Sequence, residues 1–441
     1  MEKIVINGTK PLKGEIYVTG AKNAALGILP AAILADSPSV IDNVPDISDI
    51  QHYITMLRKL GAVVRFENHR LTIDPRSIRP ENIRNIDEEV KSMRASYYLY
   101  GALLTLFKKV TMPLPGGCNL GDRPIDQHVK AFNALGVDID KEKISKEEIN
   151  PIFDAHCEKL TGTEIYFDLT SVGATINALL AAVKAEGTTM LYNAAKEPHV
   201  VDVANFLVAM GARITGAGTD TIKIRGVEKL NGCEYSVVAD QICIGTYMIA
   251  AAATEGDITI KGIIPEHLDS VTAKLREMGN DITSGDDWIR VVGKRPLKGV
   301  TVLTKPYPGF PTDLQQPMGV LMCLAEEDSE IYETIFTDRF QYTEQLIKMG
   351  ADIRVHRTKE MDGEQKEIDA ARSATFKGVG KLKGAEILSN DLRAGAAMVI
   401  AGLAAEGQTI VSGIEHIERG YEDIVGNFRA LGADIRKVDF N

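Results

Sequence analysis

The sequence predicts an α/β protein assembled from six copies of one unit, and three recurring patterns lead there. Six times an apolar helical pattern ends in Leu or Met, then Gly, then a short strand: RKLGAVVRF, NALGVDI, VAMGARI, REMGNDI, IKMGADI and RALGADI. Upstream of each glycine a second, Ala/Leu-rich helix runs through a turn into a strand, as in LADSPSVID, LFKKVTMPL, AEGTTMLYN, TEGDITIKG, AEEDSEIYE and AEGQTIVSG. Before that helix most units carry a Gly that opens another strand: LKGEIYVTG, LTGTEIYFD, LNGCEYSVV, LKGVTVLTK and LKGAEILSN. Self-similarity at a fixed period marks a repeat architecture.

The repeat glycines are Gly61, Gly136, Gly211, Gly279, Gly350 and Gly432, spaced by 75, 75, 68, 71 and 82 residues. Glycine is expected there because it takes the left-handed conformation at a helix C-terminus without steric cost. The unit therefore reads helix, strand, connector, helix, Gly, strand, and six units of about 73 residues fill the 441-residue chain. A chain of that length exceeds one ordinary core and predicts two or three domains. The polar stretches at about 138 to 160 and 355 to 381 read as exposed hairpins or loops inserted between repeats.

Composition narrows the function. With 44% hydrophobic and 25% charged residues the chain is globular. The start MEKIVINGTKPLKG lacks an apolar targeting core, and runs such as TYMIAAAAT are too short to span a bilayer, so a cytosolic location is expected. Five scattered cysteines without a C-x-x-C pair argue against a disulfide framework or zinc ribbon. A net charge of -11 argues against general affinity for nucleic acid, without by itself excluding a DNA clamp, and leaves any anionic substrate to a few placed cations.

The residues out of place for pure packing, cations among them, gather at two stations of the repeat. At the turn opening each unit stand Lys22 and Asn23 (TGAKNAA), Arg94 (KSMRASY), Ser171 to Gly173 (TSVGATINA), Asp240, Asp313 (GFPTDLQQP), Asp391 and Arg393 (SNDLRAGAA). In the connector stand Arg123 (GDRPIDQH), Arg339 (FTDRFQY) and Arg419 (HIERGYED). Helix N-termini bind anions through backbone N–H groups and the dipole, and Lys or Arg beside them adds charge. Asp and Ser at such turns are most often plain caps. Cations recurring against the helix field are not explained by capping and point to a multiply anionic ligand.

The loop LPGGCNLGDRPIDQH stands apart because it lengthens one connector with Gly116, Gly117 and Gly121 around a thiol. A lone cysteine is usually a small buried hydrophobe, which is the reading for Cys157, Cys233, Cys243 and Cys323. Cys118 lies instead in a Gly/Pro-rich loop five residues before Arg123, whose charge favours a thiolate. The residues leave open whether it is a nucleophile, a proton donor or both.

In TGAKNAA, KSMRASY, PGGCNLGDRPIDQH, SVGAT, FPTD, DLRAG and HIERGYE, taken in order along nearly the whole chain, the sequence resembles the enolpyruvyl transferases, and among them the UDP-N-acetylglucosamine 1-carboxyvinyltransferases. The resemblance implies a two-domain inside-out α/β barrel, three repeats to a domain, with the active site between the domains. Residues 1–21 with 239–441 would form one domain and 22–238 the other. It implies transfer of the enolpyruvyl group of phosphoenolpyruvate to the sugar 3-hydroxyl with release of phosphate, by addition and elimination, in peptidoglycan synthesis and hence in cell shape and division. Neither metal nor cofactor is implied, and the partners are the two small-molecule substrates, not membrane or nucleic acid.

Carried over by motif, Lys22, Arg123 and Arg419 would grip phosphoenolpyruvate, with Asn23, Arg339 and Arg393 nearby. Asn23, Arg94, Arg123, Pro124, Ile125, Asp126, Gln127, Ser171, Val172, Gly173, Asp313 and Ile335 would hold the UDP-sugar. Asp313 would be the general base; Cys118 would protonate the methylene, form a pyruvate-type adduct and be the residue fosfomycin alkylates. Leu169, Thr337 and Tyr307 depart from the commonest pattern at the nucleotide end, where the family more often has Lys, an acidic residue and His. The nearest rival is the sister transferase acting on shikimate 3-phosphate, which lacks the PGGC loop. A ring-shaped DNA clamp would spread Lys and Arg along helix faces, and a non-catalytic regulatory paralogue would not need Cys118, Asp313 and Arg419 together.

Overall fold

A computed structural model describes residues 2–116, 125–144, 151–361 and 367–439. Six nearly buried helices form its centres: α1 (Lys22–Ala32), α2 (Tyr98–Phe107), α3 (Val172–Ala182), α4 (Gln241–Ala253), α5 (Gln315–Cys323) and α6 (Leu392–Ala404). They are apolar nearly all round, as buried helices must be, and α1, α3, α4 and α6 are rich in Ala. Small residues let neighbours close in. A Cβ on Gly101 of α2 would lie 2.7 Å from the Asn177 carbonyl of α3, and one on Gly245 of α4 would lie 2.3 Å from Leu314.

Each central helix belongs to a unit with one sheet. In the unit ending at Arg225, Glu164–Tyr166 leads into α3 and Thr188–Tyr192 returns parallel to it, with Leu191 opposite Ile165. The helix Pro198–Ala209 follows, and the hairpin of Arg213–Thr215 and Thr221–Arg225 completes the sheet antiparallel to Thr188–Tyr192. Ile165, Leu191, Ile222 and Ile224 are buried against the helices, whereas Tyr166 is exposed. The period-2 alternation thus puts the helices inside and the sheet outside, which is the inside-out α/β arrangement.

Among the described residues five sheets have four strands and one has three. The five first strands are those opened by Gly in the sequence, and the unit containing α2 shows none of its own among the described residues. There Pro80–Ile86, Asp87–Ser92 and Arg94–Tyr97 form short helical turns instead. All six repeat glycines are left-handed, with φ from 91° to 107°. Each closes its helix with the same pair of bonds, as where Gly61 N donates to Arg58 O and Ala62 N to Leu57 O.

The polar stretches are hairpins, one of the two alternatives read from the sequence, but their place in the repeat differs from that reading. They are not insertions between units but the closing hairpins of their own sheets: Asp138–Ile139 pairs with Ile152–His156, and Asp352–Met361 with Glu367–Lys377. They looked like insertions because only one face of such a hairpin packs on the core, so charged residues dominate.

The chain divides into two compact units, with breaks between Thr19 and Gly20 and between Val238 and Ala239. Each has its own hydrophobic core, one built from residues between Ala21 and Val237, the other from Ile4–Ile16 with Ala239–Ile435. At the breaks the sheets exchange strands. Lys13–Tyr17 precedes α1 but pairs with Asp257–Lys261 after α4, and Glu234–Ser236 precedes α4 but pairs with Ser39–Asp42 after α1. Among the described residues no helix is long and apolar enough to cross a membrane.

Candidate active site

In the unit that holds α4, α5 and α6, three carboxylates stand at the heads of the central helices. Asp240 caps α4, accepting from Ile242 N at 2.8 Å and Cys243 N at 3.0 Å. Asp391 caps α6, accepting from Arg393 N at 2.8 Å and Ala394 N at 3.0 Å. Asp313, in the turn Thr312–Leu314 before α5, is used differently. Its Oδ1 accepts from Arg339 Nη2 at 2.8 Å and its Oδ2 from Arg393 Nη2 at 3.2 Å and Nε at 3.3 Å.

Both guanidinium groups are buried, at 3% and 4% exposure, which is rare for arginine unless it is paired. Arg339 Nη1 donates to Thr312 Oγ1 at 2.7 Å, and its guanidinium lies 4.8 Å from the Phe336 ring centre. Arg393 lies 5.4 Å from the Tyr421 ring centre. Burial opposes the charge on Arg393, but Tyr421, Asp313, Asp240 and Cys243 outweigh it and hold its proton more tightly than in a free arginine. Arg339 Nε and Arg393 Nη1 are buried without a hydrogen-bond partner among the described residues. Unsatisfied buried donors are costly, and these two cationic ones leave hydrogen-bonding capacity of the kind an anion accepts.

In the other unit Lys22 opens α1, buried, with Nζ 2.7 Å from the buried Asp49 carboxylate. Arg94 lies 5.6 Å from the Tyr97 ring centre, and Tyr97 meets His128 edge-on at 4.9 Å. His128 Nδ1 is 3.0 Å from Asn177 Nδ2, and Asn177 Nδ2 donates to Tyr97 O at 3.1 Å. With Asn177 Nδ2 as donor, His128 Nδ1 is the acceptor nitrogen of a neutral ring. Burial, reinforced by the charge of Arg94, pushes the His128 pKa down to about 3. A Cβ on Gly173 would lie 2.8 Å from both His128 and the Tyr97 hydroxyl, so only glycine lets the SVGAT turn approach this pair.

A family model described as EPSP synthase (3-phosphoshikimate 1-carboxyvinyltransferase) matches residues 6–428. The chain belongs to this family of enolpyruvyl transferases. It is 55% identical over 438 residues to UDP-N-acetylglucosamine 1-carboxyvinyltransferase 3 of Caldanaerobacter subterraneus subsp. tengcongensis, covering 99% of this chain and all of that one. It is 52% identical to UDP-N-acetylglucosamine 1-carboxyvinyltransferase 2 of Clostridium acetobutylicum, covering 99% of each. Among solved structures, the enolpyruvyl transferase NikO from Streptomyces tendae matches all of this chain and 99% of its own, with a TM-score of 0.83 at 24% identity. EPSP synthase from Acinetobacter baumannii matches over the full length of both chains at a TM-score of 0.73 and 20% identity. These two likenesses establish the enolpyruvyl transferase fold.

Of the residues singled out in this enolpyruvyl transferase, the structure brings Asp313, Arg339 and Arg393 into direct contact. Arg339 and Arg419 do not sit on helix N-termini as the repeat pattern suggested. Arg339 lies in the coil before Thr343–Lys348, and Arg419 ends the 3-10 helix Ile414–Arg419, because the connectors are longer than one turn. Ser171 caps α3, accepting from Ala174 N at 3.2 Å. The buried Gln127 side chain binds Asp168 through both ends, Oε1 accepting from Asp168 N at 3.0 Å and Nε2 donating to its carboxylate at 3.2 Å. Ile125 is partly buried, Asp126 is exposed, and Val172 opens α3. Cys118, Arg123 and Pro124 lie outside the described residues. Their loop is entered at Gly116, where a Cβ would lie 1.8 Å from the Lys91 carbonyl and no larger residue fits. Sequence reasoning gave no role to His128, Asn177 or Tyr97, although His128 ends the GDRPIDQH motif.

Proposed function

We propose that this chain transfers the enolpyruvyl group of phosphoenolpyruvate to the 3-hydroxyl of UDP-N-acetylglucosamine and releases phosphate, the first committed step of peptidoglycan synthesis. The observation that carries the reading is Asp313, a carboxylate with both oxygens against buried guanidinium groups that keep donors free for an anion. The choice of acceptor sugar is supported by relatives of that name at 55% and 52% identity over the full chain, against 20% for the shikimate-type structure.

In this mechanism Asp313 takes the proton of the 3-hydroxyl as its oxygen bonds to C2 of phosphoenolpyruvate, and Cys118 gives its thiol proton to the methylene carbon. The tetrahedral adduct then returns a methyl proton to the Cys118 thiolate as the C2–O bond to phosphate breaks, the departing phosphate takes the proton held by Asp313, and the enol ether double bond forms. General acid and base catalysis each contribute roughly 10²- to 10⁴-fold. Lys22, Arg123 and Arg419, with Asn23, Arg339 and Arg393 beside them, hold the phosphate and carboxylate and stabilise charge as it moves. Asn23, Arg94, Arg123, Pro124, Ile125, Asp126, Gln127, Ser171, Val172, Gly173, Asp313 and Ile335 hold the UDP-sugar. Gln127, its side chain bound to Asp168, serves through its backbone. Ser171 accepts its cap bond on oxygen and so retains a proton for an acceptor on the nucleotide. The reaction takes place in the cytoplasm, and fosfomycin inactivates the chain by alkylating Cys118.

The test is phosphate release from phosphoenolpyruvate with UDP-N-acetylglucosamine or with shikimate 3-phosphate. Turnover is expected only with the former and is lost in Cys118→Ala. Turnover with shikimate 3-phosphate sinks the substrate assignment, and full activity of the variant sinks the role of the thiol.

A further inference from the structure

Glu333 follows the strand Ser329–Tyr332 and is 1% exposed, a buried carboxylate to which neither the sequence nor the proposed mechanism gives a part. Among the described residues its carboxylate forms no ion pair with an arginine, and only its backbone N donates to one, Arg372 O at 2.8 Å. Its Oε1 accepts from Thr304 Oγ1 at 2.9 Å, Ile335 N at 2.9 Å and Phe336 N at 3.2 Å. Its Oε2 accepts from Thr312 Oγ1 at 2.8 Å. The Thr312 hydroxyl spends its proton on Glu333, which leaves its lone pair for Arg339 Nη1 at 2.7 Å. Arg339 in turn donates to Asp313 at 2.8 Å. Thr334 N also donates to Thr304 Oγ1 at 3.0 Å, so the whole turn that carries Ile335 and Phe336 is tied to the same carboxylate.

We infer that Glu333 is a positioning residue for the proposed transfer: through the Thr312 hydroxyl it fixes Arg339 and thereby Asp313, and through the turn it fixes Ile335. The inference rests on the reading of Asp313 as the base. All four groups around Glu333 donate, so an ionised carboxylate, which only accepts, satisfies them all, whereas an amide would turn an N–H₂ against one donor. The two arms make separable demands. The Thr312 arm acts on the geometry of proton removal, the turn arm on the hold on the sugar nucleotide.

Steady-state kinetics of the full chain test this with both substrates varied. Thr312→Val removes the relay but keeps the shape, and is expected to lower kcat on the order of ten- to a hundred-fold, the scale of a small misplacement of a reacting group, with KM for the sugar nucleotide little changed. Thr312→Ser restores the hydroxyl and recovers most of kcat. Glu333→Gln loses kcat similarly and also raises KM for UDP-N-acetylglucosamine. A packing role would instead make Ser no better than Val. Unchanged kcat in Thr312→Val, or equal loss in Val and Ser, overturns the inference, and the Thr312 pair decides even if Glu333→Gln fails to fold. A parent protein without turnover overturns the functional reading and this inference with it; an active parent with an unaffected Thr312→Val overturns the inference alone.

Discussion

Asp240 and Asp391 on one side and Asp313 on the other occupy one station of the repeat, the head of a central helix in the same unit, and differ in what their oxygens meet. The first two each give one oxygen to backbone N–H groups, and Asp391 also accepts from Gln316 Nε2 at 3.2 Å, whereas Asp313 forms an ion pair with Arg339 at 2.8 Å. At α5 the cap residue is Leu314, which provides no side-chain cap, while Asp313 just before it binds two buried arginines. Repetition supplies an internal control: where copies agree the residue serves the fold, and where one copy departs it is available for chemistry.

The largest expected effect that could break this comparison is on turnover. Asp313→Asn should lower kcat roughly 10²- to 10⁴-fold, the scale of a lost general base, in a single-turnover assay of phosphate release. If Asp240→Asn loses as much, the distinction between the stations fails. Arg393→Lys should follow, with a loss on the order of ten- to a hundred-fold in kcat/KM for phosphoenolpyruvate, because an ammonium group cannot both pair with Asp313 and present a planar fork to an anion.

His128 provides a prediction in pH. Its pKa is near 3 when folded and about 6.5 in the unfolded chain, so below pH 6.5 the unfolded state binds the extra proton. The stability held by neutral His128 is therefore complete above pH 6.5 and is lost as pH falls toward 3, at up to about 1.4 kcal/mol per pH unit. Denaturant melts of His128→Gln should show a shallower acid slope than the parent; an equal slope would remove His128 as its source. The smallest effect is at the caps. Asp240→Ala should cost about 1 kcal/mol and Asp240→Asn much less, read from urea midpoints, since Asn caps nearly as well.

What the sequence disclosed and what it concealed divide along range. The six glycines and the five strand-opening motifs are local features, a left-handed residue or an alternation, and each recurs where the pattern put it. Caps were legible for the same reason, since Asp240 reaches only two and three residues ahead. Asp313 was recognisable through its motif, but its partners lie 26 and 80 residues away, and no spacing rule announces them. The bond between His128 and Asn177 spans 49 residues, and Glu333 is held by Thr304 and Thr312, 29 and 21 residues earlier. The placement of the polar hairpins between repeats fails differently: hydrophobicity reports the face a strand buries, and a strand that buries little is silent.

The exchanged strands set an order for biosynthesis. Glu2–Asn7 is translated well before its neighbours in the sheet, Gln408–Ser412 and Asp434–Asp439. The unit from Gly20 to Val238 carries all its own strands and can close as soon as Glu234–Ser236 reaches Ser39–Asp42. At about 5–20 residues per second, the leading strand then waits roughly ten seconds or more, unpaired, for the rest of its sheet to be translated. During that interval a nascent chain offers Glu2–Asn7 and Lys13–Tyr17 without their sheet partners, so its vulnerability to aggregation and its need of a chaperone should concentrate at these two strands.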